Sequence, residues 1–245
     1  MDIGRVFFHY DPRTNKLQRL VVLTLESHVG NVARLAEAWD PARAYLRLPP
    51  EVNLDQTRSR LIQAARRHDE AKPQCFRLTR DQQSGRYSYS YRGHRFRVLV
   101  DDLYVALLVR LHHEFSVDGV TEAVAALRDV GDFVGAANFP FDLYALEMCD
   151  QITAEVESRA LGDEAREERV FMEFHLTSHD GQTFQVDPYP FDEQELRLTL
   201  VFSTYDPGDE EDPEHLTQRL KDMPPGQNQT KEVVLCPLLQ KPMND

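Results

Sequence analysis

A chain of 245 residues with 41% hydrophobic and 28% charged side chains can build one large domain around its own core, and its composition is neither disordered nor fibrous. The formal net charge of -13 argues, taken alone, against a polyanionic partner such as DNA or RNA. That charge is uneven: residues 1–160 carry 22 acidic and 21 basic side chains and residues 161–245 carry 19 and 7, so the acidity belongs to the C-terminal third.

The first residues are broken up by Asp2, Arg5, His9, Asp11 and Arg13, which leaves no apolar signal segment. From Ile3 to Leu25 the pattern reads as a hairpin: Val6-Phe7-Phe8, then turn formers from Asp11 to Asn15, then Leu20-Val21-Val22-Leu23. The period then becomes helical, with Val29, Val32, Ala33, Ala36 and Trp39 on one face behind Ser27 as the expected N-cap. Pro41, Pro49 and Pro50 bracket a loop. A second helix is expected from about Leu54 to His68, stopped by Pro73. Residues 76–97, with Tyr87, Tyr89 and Tyr91 alternating with serines between Gly85 and Gly93, read as a two-stranded ribbon or ordered loop.

Helices are expected near 101–115, 118–129 and 141–160, the last with Leu143, Leu146, Cys149, Asp150 and Thr153 roughly on one face. Strands are expected at Phe171 to Leu176, Thr183 to Val186 and Leu196 to Phe202, and residues 206–230, rich in Asp, Glu, Pro and Gln, read as a solvated linker. The longest apolar run, Leu103 to Val109, is far short of the ~18 residues of a membrane span. Cys75, Cys149 and Cys236 form no CxxC pair, which points to a reducing compartment, and a cytoplasmic protein is the expectation.

Five of the nine histidines fall where helices begin or end: His28, His68, His94, His112 and His113. Asp69 follows His68 directly, Lys72 lies three residues on, and Asp150 faces inward from the last helix. Neutral imidazole with carboxylate suits divalent transition metals, and a carboxylate can bridge two ions. His9, His175, His179 and His215 have no matching partner and read as structural or solvated.

This series resembles the HD-domain metal-dependent phosphohydrolases, and within them the stand-alone HD nuclease of type I CRISPR systems, over about residues 25–160. His28 in Glu26-Ser27-His28 matches the first-helix histidine, and His68-Asp69-Glu70-Ala71-Lys72 the HDxGK signature, with Ala71 where the signature has glycine. His94 matches the histidine after an inserted loop, His112-His113 the paired histidines, and Asp150 the closing aspartate. The resemblance implies an HD helical core at 26–160 in a mainly α fold; the residue pattern adds an N-terminal hairpin at 1–25 and an acidic β-containing extension at 161–245, and the terminal strands are expected to form one small antiparallel sheet beside the core. It also implies two divalent ions, from among Mn, Co, Ni, Fe and Mg. Asp69 would bridge them, with His28, His68 and Asp150 on one ion and His94, His112 and His113 on the other. Two such ions activate water near neutral pH and clamp the oxygens of a phosphodiester at ~3.5–4 Å separation. Asp69 and Lys72 are the implied catalytic pair, Lys72 facing the non-bridging phosphate oxygens.

The superfamily acts on nucleotides as well as polymers. Arg77, Arg80, Arg86, Arg92, Arg95 and Arg97, interleaved with Tyr87, Tyr89 and Tyr91, combine backbone charge with aromatic faces and favour single-stranded DNA as the partner. An ordinary amphipathic ribbon with packed tyrosines carries nearly equal weight. No GxxxxGK[ST] loop is present, so strand supply would fall to a separate CRISPR helicase working with the RNA-guided surveillance complex. The alternative is an HD-type nucleotide or cyclic-nucleotide phosphohydrolase with the same ligands, and a degenerate scaffold is the weakest of the three readings.

Overall fold

Alternation of apolar residues makes a hairpin of the first 24 residues in a computed structural model that describes residues 2–113, 116–162, 167–208, 212–223 and 228–241. Strand β1 (Ile3–Tyr10) pairs antiparallel with β2 (Leu17–Thr24). Its two faces lead to two different cores. Phe7, Val21 and Leu23 enter the main cluster, while Ile3, Val6, Leu20 and Val22 enter a smaller one on the opposite side.

Helix α1 (Leu25–Ala38) follows without a loop, capped by Thr24, whose hydroxyl accepts from the Ser27 amide at 3.2 Å. The cap is therefore Thr24 rather than the expected Ser27, and Ser27 has another task. Strand β8 (Leu196–Tyr205) is covered by β2 only from Phe202 to Tyr205. Beyond that point α1 takes over the open edge. Ser27 Oγ donates to the Thr199 carbonyl at 2.8 Å and accepts from the Val201 amide at 3.0 Å, and the Asn31 amide group makes a matching pair of bonds to Thr199 at 3.0 and 3.1 Å. Two side chains one helical turn apart thus satisfy backbone groups that a missing strand would otherwise leave bare.

A short turn of helix, α2 (Pro41–Ala44), precedes α3 (Arg58–Arg67) and α4 (Lys72–Cys75). Next come the ribbon β3 (Arg77–Arg80) and β4 (Tyr87–Ser90), then α5 (Leu103–Leu111), α6 (Val117–Asp129) and α7 (Phe133–Leu161). Helix α7 begins eight residues before the expected start. Asp132 caps it, accepting from the Gly135 amide at 2.8 Å, and the helix runs through Pro140.

Strands β5 (Arg169–Met172), β6 (Phe174–Thr177) and β7 (Thr183–Val186) precede β8, and α8 (Pro213–Lys221) and β9 (Gln229–Pro237) close the described chain. One sheet has the order β1-β2-β8-β9-β5, with β5 parallel to β9 and the other neighbours antiparallel. With 45% helix and 24% strand this is an α/β fold around a large mixed sheet, which corrects the expected mainly α fold with a small antiparallel sheet. The shortfall has a physical origin in residues 206–230. Their polar composition conceals a helix capped by Asp212 and opened by Pro213, whose Leu216 and Leu220 are fully buried at i, i+4 spacing. The same composition conceals the start of β9, a full sheet strand.

The main cluster joins Val32, Leu35, Leu108, Phe139 and Leu146 of the helices to Leu196, Leu198, Leu200, Val233 and Leu235 of the sheet, so the helical face and the sheet share one interior. The smaller cluster lies under β3, β4 and α8, where the Leu78 amide donates to Thr217 Oγ1 at 3.1 Å. Among the described residues no helix is long and apolar enough to cross a membrane.

Candidate metal centre

Five elements deliver the histidine-aspartate series to one place: α1 carries His28, the end of α3 is followed by His68 and Asp69, a 3₁₀ turn at His94–Phe96 carries His94, α5 ends at His112 and His113, and α7 carries Asp150. Gly93, at φ 78°, supplies the left-handed residue that swings His94 inward. Their metal-binding atoms form two groups, His28, His68, Asp69 and Asp150 in one and His94, His112 and His113 in the other; within each, the atoms lie within 4.8 Å of one another. This buried cluster could hold a metal ion.

Asp69 joins the groups. Its Oδ2 faces His28 Nε2 at 3.1 Å and His68 Nε2 at 3.2 Å, while its Oδ1 faces His94 Nε2 at 3.0 Å and His112 Nε2 at 3.8 Å. Asp150 Oδ1 adds contacts of 3.2 Å to His28 and 3.6 Å to His68.

The far sides of the rings explain their aim. His68 Nδ1 donates to the Ala65 carbonyl at 2.7 Å, His94 Nδ1 to the Tyr91 carbonyl at 2.8 Å and His112 Nδ1 to the Val109 carbonyl at 2.6 Å. A carbonyl only accepts, so each Nδ1 carries a proton and each Nε2 is turned into the centre, free to ligate once it is deprotonated. Accordingly Nε2 of His28, His68, His94 and His112 and Oδ1 of Asp69 are shielded from water and make no hydrogen bond among the described residues, while Asp69 Oδ2 faces the Lys72 ammonium. Buried polar atoms left so cost about 1–3 kcal/mol each, and a set of acceptors turned toward one another is what a cation neutralises.

Charge follows the same division. Burial opposes protonation of His68, but Asp69 and Asp150 outweigh it and push the imidazole up to about 9. His28, equally buried, is pushed well above its ordinary range by Glu157, Asp150 and Asp69. Burial and the neighbouring His68 instead hold His112 well below its usual value, and burial lowers His113. Asp69 and Asp150 are held well below the carboxylate range: although burial works the other way, His68 and Lys72 hold Asp69 down, and the adjacent imidazoles of His28 and His68 do so for Asp150.

Lys72 opens α4 with its ammonium against Asp69 Oδ2 and 5.1 Å from the Tyr91 ring centre, buried rather than solvated. Burial lowers its proton affinity, yet Asp69 and Asp150 leave it raised.

Two residues of the centre escaped the sequence reading. Glu157, fully buried, lies 2.8 Å from His28 Nδ1 and 3.1 Å from Arg5 Nη1 in β1. A carboxylate behind a ligating imidazole fixes its orientation and raises its basicity. The available signal was spacing: Glu157 follows Asp150 by seven residues, two turns along the same face of α7.

The arginine-tyrosine ribbon divides. Tyr87, Tyr89 and Tyr91 are half-buried, Tyr87 stacked on Phe8 at 6.2 Å, Tyr89 at 6.3 Å from the same ring, and the Tyr91 hydroxyl donating to the Gly4 carbonyl at 2.8 Å. They fasten the ribbon to β1. Arg80 and Arg86 reach out from the ribbon but are engaged, Arg80 over Tyr87 and Arg86 over Tyr10 and bonded to Asn15. Arg77 and Arg92 line a polar groove of about 800 Å³ between the ribbon and α8, with Lys221 and Glu214 on the far wall. Arg95 and Arg97 flank Phe96 just past His94, with Arg97 exposed.

Comparison with protein-family profiles, with curated proteins and with solved structures finds no significant match in any of the three.

Proposed function

We propose that this protein is a metal-dependent phosphodiester hydrolase of the HD type, a nuclease acting on single-stranded DNA. The observation that carries the reading is the division of Asp69, one oxygen toward each histidine group. A carboxylate so placed suits two cations side by side, with His28, His68 and Asp150 holding one and His94, His112 and His113 the other. Paired divalent ions supply Lewis-acid activation of water and charge stabilisation of the attacked phosphoryl group.

The chain's own residues do the rest. The Nδ1 hydrogen bonds of His68, His94 and His112 keep the ring nitrogens presented without reorganisation. Glu157, itself pinned by Arg5, does the same for His28. Lys72 places a further positive charge beside Asp69, where non-bridging phosphate oxygens would gather. Arg77 and Arg92 give a route for a polyanionic strand along the ribbon groove. The working context we propose is the interference step of a CRISPR system, with a separate helicase delivering the strand.

Purified protein is incubated with Mn, Co, Ni or Mg and labelled single-stranded DNA, beside Asp69→Ala. Metal-dependent cleavage that disappears in the variant is expected. Cleavage that survives Asp69→Ala, or none with any metal, sinks the reading. Phosphate release from nucleotides with DNA left intact selects the nucleotide phosphohydrolase instead.

A further inference from the structure

The tyrosines expected to stack on bases are half-buried against β1, and a more open aromatic ring stands beside the centre. Phe96 is 60% exposed; among the exposed aromatic rings of the described residues only Phe133, at 70% and at the start of α7, is more open. It occupies the third position of the 3₁₀ turn whose first residue, His94, points into the centre, so one rigid turn presents an imidazole inward and a phenyl ring outward. Two guanidinium groups flank that ring: Arg95 at 5.0 Å and Arg110 at 5.8 Å from its centre. Arg110 sits in the last turn of α5, two residues before His112. Nη1 of Arg95 is shielded from water without a hydrogen-bond partner among the described residues. The segment beyond is held in place, since Arg67 Nη2 donates to the Leu99 carbonyl at 3.0 Å.

An exposed phenyl ring costs free energy in water and is ordinarily buried; here the fold holds it out between two cations. Ring face plus guanidinium is the pairing that takes a nucleobase and its phosphate together, because every base has a π-face and every linkage a charge. Two guanidinium groups held over the ring offer charge that a phosphate uses and an aliphatic partner does not.

We propose that Phe96, flanked by Arg95 and Arg110, is the base-stacking platform of the substrate site, receiving one nucleobase of a single-stranded polynucleotide next to the phosphate being cut. This rests on the hydrolase reading for the cutting but not for the binding. Specificity would follow: strands with bases favoured over the same backbone without them, with little preference among bases.

The test uses the full-length protein with short single-stranded oligonucleotides, base-bearing or abasic. Cleavage is followed on phosphodiester strands and binding by fluorescence anisotropy on phosphorothioate strands. Phe96→Ala is expected to weaken base-bearing strands about 5- to 150-fold in KM and Kd, with kcat and the abasic strand unchanged, and Phe96→Trp to restore the preference. Because the ring is exposed, an unaltered melting temperature is expected in both variants. Equal effects on base-bearing and abasic strands, or no effect on either, overturn the platform. If no strand is cut but Phe96→Ala still loses the base-dependent part of binding, the hydrolase reading fails and the platform stands. Loss of mononucleotide binding alone, with strands unaffected, overturns it in favour of a nucleotide pocket.

Discussion

The metal centre and the arginine-tyrosine ribbon both attract attention in the sequence, and they differ in what the fold does with their polar atoms. At the centre, the inward Nε2 atoms of four histidines and Asp69 Oδ1 are buried without hydrogen bonds of their own. In the ribbon almost every polar group is answered: Tyr91 by Gly4, Arg86 by Asn15, Arg80 by Gly85, and Thr79 by Ser88. A satisfied group has done its work once the chain is folded. Unsatisfied groups that converge are held at a free-energy cost, and they mark where a ligand belongs. Residue composition alone does not separate the two cases.

Four experiments press on that difference, in descending order of expected effect. Asp69→Asn keeps the shape but removes the charge shared by both histidine groups. Metal content measured on the purified variant should fall to near zero and cleavage to background. Retention of two equivalents of metal would remove Asp69 from its bridging position.

Glu157→Gln leaves an acceptor for His28 but no negative charge behind it, and should weaken metal binding about 10- to 100-fold in a chelator competition. An unchanged affinity would make Glu157 a packing residue only.

The third experiment varies pH. Without metal, His68 is raised to about 9, above the 6.5 of a free histidine. The stability contributed by that protonated pairing is complete below pH 6.5 and is lost as pH rises through 9. A cation takes the place of the proton, so the gain in Tm on adding Mn should widen between pH 6.5 and 9. A gain that narrows over that window contradicts the assignment.

The smallest effect belongs to the ribbon. Tyr91→Phe deletes only the bond to the Gly4 carbonyl and should cost about 1 kcal/mol in denaturant unfolding, with cleavage unaltered. A large loss of activity with stability intact would return the tyrosines to the substrate path.

The candidate ligands were legible because each is tied to a local event that a linear pattern records: His68 and Asp69 at the end of α3, His112 and His113 at the end of α5, Asp150 on the inward face of α7. The ribbon, too, was readable as strand-turn-strand. Strand β9 and helix α8 were not, because their burial comes from partners far along the chain. Leu235 is covered by α7 and β8, and Leu216 and Leu220 by the β1-β2 hairpin and the ribbon, while acidic and proline-rich neighbours dominate the local composition.

Residue order thus determined which donors exist and on which helix ends they sit, since ends and faces are set by spacing and capping within a few residues. Only the tertiary structure decided that Asp69 turns one oxygen to each group, that Glu157 and Arg5 stand behind His28, and that Phe96 rather than the tyrosines faces water. Those outcomes depend on which surfaces compete for the same interior. The tyrosines met Phe8 and the underside of the β1-β2 hairpin, and the Phe96 ring on the His94 turn met the guanidinium groups of Arg95 and Arg110.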